Sequence, residues 1–141
     1  MKKLIEQVQS WAKERGLLKY EYAETQYLKY LEEVGETARA ILKKDEAAII
    51  DGFGDIAVTI IILAKQLDSE LIINFKNPDH MRTFDWFMDE IEYYSVNPNS
   101  LDYLNDVSSA YGYSLESCLE SAWNEIKDRK GKTQDGHFVK E

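Results

Sequence analysis

IIDGFGDIAVTIIILA, residues 49–64, decides the fold. Ile49, Ile50, Phe53, Ile56, Ala57, Val58, Ile60, Ile61, Ile62 and Leu63 surround the whole circumference of a helix, and a helix apolar all round is normally buried. Such a helix needs others packed around it. Working outward, apolar residues recur at helical rather than alternating spacing almost everywhere, and the pattern predicts helices at about 2–15, 21–43, 46–68, 79–94, 100–111 and 115–130. Gly16 stops the first, whose apolar face is Ile5, Val8, Trp11 and Ala12. Lys43-Lys44-Asp45 separates the second from the third and sets cations where a helix ends, the favourable end for them. Asn77-Pro78 reads as an N-cap and first helical position, Asn97-Pro98 as a turn, and Ser114 as the cap of the last helix. In the tail, Asp135-Gly136 fits a tight turn in a short ribbon. The expected class is all-α: a helical bundle with a short C-terminal extended tail, in one domain over 1–141.

Composition narrows the function. Seventeen basic against twenty-six acidic residues give a net charge of −9, which disfavours a nucleic acid polymer or an anionic membrane as partner. One cysteine, Cys118, leaves no internal disulfide, and two histidines, His80 and His137, are too few for a Cys/His zinc site. The opening MKKLIEQVQSW lacks the apolar run of a signal peptide, and Ile56–Ala64 falls far short of the roughly 20 residues that span a bilayer. A reducing, cytoplasmic setting is expected.

The acids are patterned. The second helix carries Glu32, Glu33 and Glu36, and the third carries Asp51 and Asp55. Residues three or four apart share a helix face, so each helix presents a carboxylate cluster. If the chain reverses near 43–44, antiparallel partners are residues whose numbers add to about 87, which sets Glu36 level with Asp51, and Glu32 and Glu33 with Asp55, roughly 10–18 Å from the turn. Carboxylates so placed repel one another unless cations sit among them. Oxygen-only donors favour Mg²⁺ or Mn²⁺. Taken alone, the second helix has an apolar stripe of Tyr27, Leu31, Val34, Ala38 and Ile41, which puts the glutamates on a solvated face. The third helix decides otherwise, because Asp51 and Asp55 share a line with Val58 and Ile62 and project toward a covered face. Gly52 and Gly54 each cost a helix about 1 kcal/mol relative to Ala, which points to a close approach to the backbone.

EEVGE at 32–36, followed by DGFGD at 51–55, resembles the metal-binding signature EExxE–spacer–EExxD of the MazG-like, all-α nucleoside triphosphate pyrophosphohydrolases. EQVQSWAKERGL, QYLKYLEEVGE and SAWNEIKDRKGK are similar to corresponding family segments, particularly in small phage and bacterial members. The resemblance covers residues 5–67 and 113–141. One position departs: Gly52 stands where the family has the first acid of its ExxD, and Asp51 is the acid nearby.

The resemblance implies Mg²⁺-dependent hydrolysis of a nucleoside triphosphate between the α and β phosphates, with Mn²⁺ as a substitute ion. It implies Glu33, Glu36, Asp51 and Asp55 as metal ligands and Glu32, Glu33, Glu36 and Asp55 as the catalytic set. Glu32 is spare as a ligand and free to accept a proton from water, or simply solvated. Asn124 and Lys127, of the family's N-x-x-K type, are expected on the nucleotide, with Arg129 and Lys130 as further phosphate contacts and Lys29 either a phosphate ligand or a simple i, i+4 partner of Glu33. Trp11 is the aromatic expected on the base, although Trp11, Trp86 and Trp123 all suit a core. A homo-oligomer, dimer or tetramer, is expected to complete the pocket. Alternatives are a dUTP- or dCTP-directed relative and a catalytically silent helical interaction protein. A ferritin-like di-iron site is excluded, since neither histidine follows a glutamate at the required spacing.

Overall fold

The computed structural model describes residues 1–71, 73 and 100–141. The predicted helix at 79–94, both Asn-Pro pairs, His80 and Trp86 lie outside them. The elements are α1 (Lys2–Glu14), a single 3-10 turn (Tyr20–Tyr22), α2 (Ala23–Lys43), α3 (Glu46–Gln66), α4 (Ser100–Ala110), α5 (Leu115–Ile126), β1 (Gly131–Gln134) and β2 (His137–Lys140). The all-α class holds, with a two-stranded antiparallel ribbon at the end. In that ribbon Gln134 pairs with His137, and Asp135 and Gly136 both take positive φ, the geometry of a two-residue turn matched to strand twist.

Helix α3 is the axis of the bundle and packs on α1, α2, α4 and α5. Phe53, Ile56, Ala57, Ile61 and Ala64 are fully buried in it. Among the described residues α3 is the one helix long and apolar enough to cross a bilayer, but its apolar side chains form the shared core of the other helices. α1 contributes the four residues its spacing predicts: Ile5, Val8, Trp11 and Ala12.

The α2–α3 hairpin sets the level of the acids. Lys44 turns the chain in the left-handed region at φ 56°, and Asp45 caps α3 by accepting a hydrogen bond from Ala48 N at 3.1 Å. Asp45→Ala is expected to cost about 1 kcal/mol. Thermal denaturation should show a Tm lower by roughly 3–6 °C. The expected antiparallel register is met within two residues: Thr37 lies against Gly52, and Gln26 donates to the Thr59 carbonyl at 3.5 Å.

Two expectations are corrected. The buried face of α2 is Gln26, Tyr30, Glu33, Thr37 and Ala40, and the stripe read from Tyr27, Leu31, Val34, Ala38 and Ile41 is only partly covered or, at Leu31, exposed. Gly52 is the reason: with no side chain there, Thr37 fits directly against α3 and turns the helix by about one residue. The last helix ends at Ile126, not near residue 130. Arg129 N turns back to the Ile126 carbonyl at 2.9 Å, so Arg129 and Lys130 belong to the turn that leads into β1.

Candidate functional site

The α2–α3 hairpin places Glu33, Glu36, Asp51 and Asp55 in the wall of one cleft of about 270 Å³, together with Arg39, Lys43 and Asp45. Glu33 and Asp55 also line an adjoining groove of about 740 Å³, whose other polar members include Lys29, Glu32 and Arg129. The apolar wall of that groove is Trp11, Leu17, Val58, Ile62, Ile126 and Phe138. The two most enclosed acids therefore stand at the boundary between a small polar cleft and a larger, partly apolar groove.

Enclosure differs among the acids. Glu33 is buried, Asp55 is half-buried, and Glu32, Glu36 and Asp51 are exposed. The covered face expected for Asp51 is thus found only at Asp55, one turn deeper in the bundle. Burial pushes the Asp55 carboxyl up to about 7, reinforced by the charges of Glu33, Asp51 and Glu125 and opposed by Arg129. The Asp51 carboxyl is raised as well, by the protein packed around it and by Glu125, whose carboxyl is in hydrogen-bond contact with it. These shifts reflect burial first and crowded negative charge second.

Lys29 supplies a cation. Its Nζ lies 2.6 Å from Glu32 Oε2 and 2.7 Å from Glu33 Oε1. Partial burial lowers the lysine pKa, but the two carboxylate bonds outweigh it and the net direction is up. Among the described residues, no three Asp, Glu, His or Cys side chains already stand close enough together to share an ion.

Gly52 and Gly54 do answer to a close approach, but by neighbouring helices. A Cβ on Gly52 would lie 2.2 Å from Thr37 Oγ1, and one on Gly54 would lie 2.4 Å from the Cys118 carbonyl oxygen. Gly52, in the position where the family signature has an acid, is a contact between α2 and α3.

The C-terminal cations divide. Arg129 reaches the groove, pairs with Glu125, and its carbonyl accepts from Arg15 Nη2 at 2.9 Å. Asn124 and Lys127 are brought to each other, Nζ to Oδ1 at 2.9 Å, but line neither the cleft nor the groove, and the same holds for Lys130. Trp11 is a buried core residue that also walls the groove: its Nε1 donates to the Ile126 carbonyl at 3.0 Å, and the Arg15 guanidinium lies 4.5 Å from its ring centre. Trp123 is packed at the edge of the core. The sequence reading missed Arg39 and Glu125. Each carries a signal at helical spacing, Arg39 three residues after Glu36 and Glu125 four before Arg129.

Residues 22–78, which include α2 and α3, match the model of the MazG nucleotide pyrophosphohydrolase domain. An uncharacterized 18.2 kDa protein from the rep-hol intergenic region of Haemophilus phage HP1 (strain HP1c1) is 36% identical over 73 residues, covering 50% of this chain and 45% of the phage protein. The chain thus spans under half the length of that curated relative. No solved structure matches it significantly.

Proposed function

Because residues 22–78 match the MazG nucleotide pyrophosphohydrolase domain, we propose that this chain hydrolyses a nucleoside triphosphate between the α and β phosphates, releasing a nucleoside monophosphate and pyrophosphate. The observation that carries this reading is the shared position of Glu33 and Asp55 between the carboxylate cleft and the larger groove.

The donor set fits a hard divalent cation. Glu33, Glu36, Asp51 and Asp55 offer oxygen alone, burial together with neighbouring carboxylates raises the carboxyls of Asp51 and Asp55, and a lysine ammonium already stands in that negative field. We assign these four residues to Mg²⁺, with Mn²⁺ as a substitute. A bound divalent cation supplies charge neutralisation on phosphate oxygens and lowers the pKa of a coordinated water.

The chain's own residues do the rest. Arg129 and Lys29 neutralise phosphate oxygens in the groove beside the acids, as phosphoryl transfer requires. Glu32, exposed at the groove rim, accepts the proton of the attacking water. The walls at Trp11, Val58, Ile62 and Phe138 exclude water from one side of the nucleoside, and about 740 Å³ is ample for it. Leu28 in this groove and Leu31 one turn on are 60% and 39% exposed, an apolar strip that a second copy covers in a dimer or tetramer.

A panel of ribo- and deoxyribonucleoside triphosphates with Mg²⁺, read for both products, tests the reaction. Pyrophosphate and monophosphate are expected from at least one nucleotide, with a uracil or cytosine preference marking the dUTP- or dCTP-directed alternative. Orthophosphate alone, or binding without turnover, overturns it. Arg129→Ala is expected to raise KM for the triphosphate roughly tenfold, the scale of one charge-assisted contact, with a smaller change in kcat. Steady-state pyrophosphate release measures the split.

A further inference from the structure

We propose that Lys29 is a tethered competitor of the divalent cation: it holds Glu33 in the nucleotide-free protein and gives way as the ion arrives. The proposal rests on the metal site assigned above and names a regulation of that site.

The geometry is specific. Lys29 Nζ bridges Glu32 Oε2 at 2.6 Å and Glu33 Oε1 at 2.7 Å. Glu32 is exposed and can exchange the ammonium for water. Glu33 is not: its side chain is 9% exposed, so the ammonium is the partner that keeps a buried carboxylate satisfied. A divalent ion draws on the same carboxylate, because Glu33 also lines the carboxylate cleft with Glu36, Asp51 and Asp55. An ammonium on Oε1 repels an ion arriving at the other oxygen of that carboxylate and offsets the negative charge that attracts it. Ion binding at Glu33 therefore competes with Lys29.

The displaced ammonium has a place to go. Lys29 is 45% exposed on a flexible four-carbon stem, and it lines the same groove as Arg129. A triphosphate in that groove meets the freed ammonium. Nucleotide and metal then favour the same state, with Lys29 off Glu33, and each strengthens the other's binding by the same factor. The device keeps the nucleotide-free site from holding metal tightly.

The test measures Mn²⁺ binding to the nucleotide-free protein, by the loss of the free Mn²⁺ electron paramagnetic resonance signal. Lys29→Met is expected to bind Mn²⁺ about tenfold tighter than wild type, while Lys29→Arg, which keeps the cation, stays near wild type. At saturating Mn²⁺, Lys29→Met should raise the KM for the triphosphate several-fold. The helical circular dichroism of both variants should match wild type, because Lys29 is not a core residue. Equal or weaker Mn²⁺ binding by Lys29→Met, with wild type binding normally, overturns the competition and leaves the metal site standing. Absence of Mn²⁺ binding by folded wild type overturns both.

Discussion

Asp55→Asn lowers the rate of pyrophosphate release at least about 10²-fold and at the same time stabilises the metal-free protein at pH 8: that paired outcome is the first expectation. Loss of one preorganised charged contact typically costs about 10²–10³-fold in rate, and Asp55 is the acid common to cleft and groove. The stability gain follows from the carboxyl lying near about 7 in the fold against an ordinary 3.8. A carboxyl raised by folding favours the folded state while it is protonated. Its contribution is fully favourable below about pH 4, fades as pH rises toward 7, and is absent above, where the folded protein holds an ion it would rather not hold. Asparagine carries no such charge. In EDTA at pH 8 the variant is expected to be more stable by roughly 2–4 kcal/mol, or about 5–15 °C in Tm, and the difference should shrink as the pH is lowered to 5. Mg²⁺ should raise the Tm of wild type but not of the variant. Thermal scans at two pH values, with and without metal, check every part. A variant less stable than wild type at pH 8 contradicts the electrostatic reading of the cleft.

Gly54→Ala is the second large effect. Alanine in place of a helical glycine would by itself favour the helix by about 1 kcal/mol. Here the new Cβ would sit 2.4 Å from the carbonyl oxygen and 3.0 Å from the carbonyl carbon of Cys118, backbone atoms of α5 that cannot rotate away. The helices must separate, at a cost of about 1–3 kcal/mol or more, which outweighs the propensity gain. Gly52→Ala meets Thr37 Oγ1 at 2.2 Å, with Thr37 Cβ at 3.0 Å. There a second change helps, since Thr37→Ala removes the nearer atom. Urea denaturation should show Gly54→Ala strongly destabilised, and Gly52→Ala partly rescued by Thr37→Ala. Neutral behaviour of Gly54→Ala would mean that α3 and α5 are not in contact at this level.

The hairpin of acids was legible because it depends on local periodicity alone: spacing within α2, spacing within α3, and a turn whose position fixes the register. Lys44 and Asp45 turn the chain where the cation cluster breaks the pattern, and Thr37 meets Gly52 accordingly. The rotation of α2 was not legible. Its most apolar stripe is not its buried one, because the fit of Thr37 against a glycine on another helix outweighs hydrophobicity counted along one helix. For the same reason Glu33, which the stripe of α2 taken alone sets on a solvated face, is buried while Leu28 and Leu42 are exposed. The C-terminal cations were read as one group on a continuing helix. The chain leaves the helix at Lys127, so Arg129 swings to the groove while Asn124 and Lys127 pair with each other. The spacing of Glu125 to Arg129 is visible in the sequence, but its contact with Asp51 follows from the packing of α5 on α3.

The most direct test is an anomalous difference map from a crystal soaked with Mn²⁺ and a non-hydrolysable triphosphate analogue. Ion density coordinated by oxygens of Glu33, Glu36, Asp51 and Asp55, with the analogue in the adjoining groove, is the expected result. Bound analogue with no ion at those four carboxylates, and Lys29 still seated on Glu33, would contradict the account.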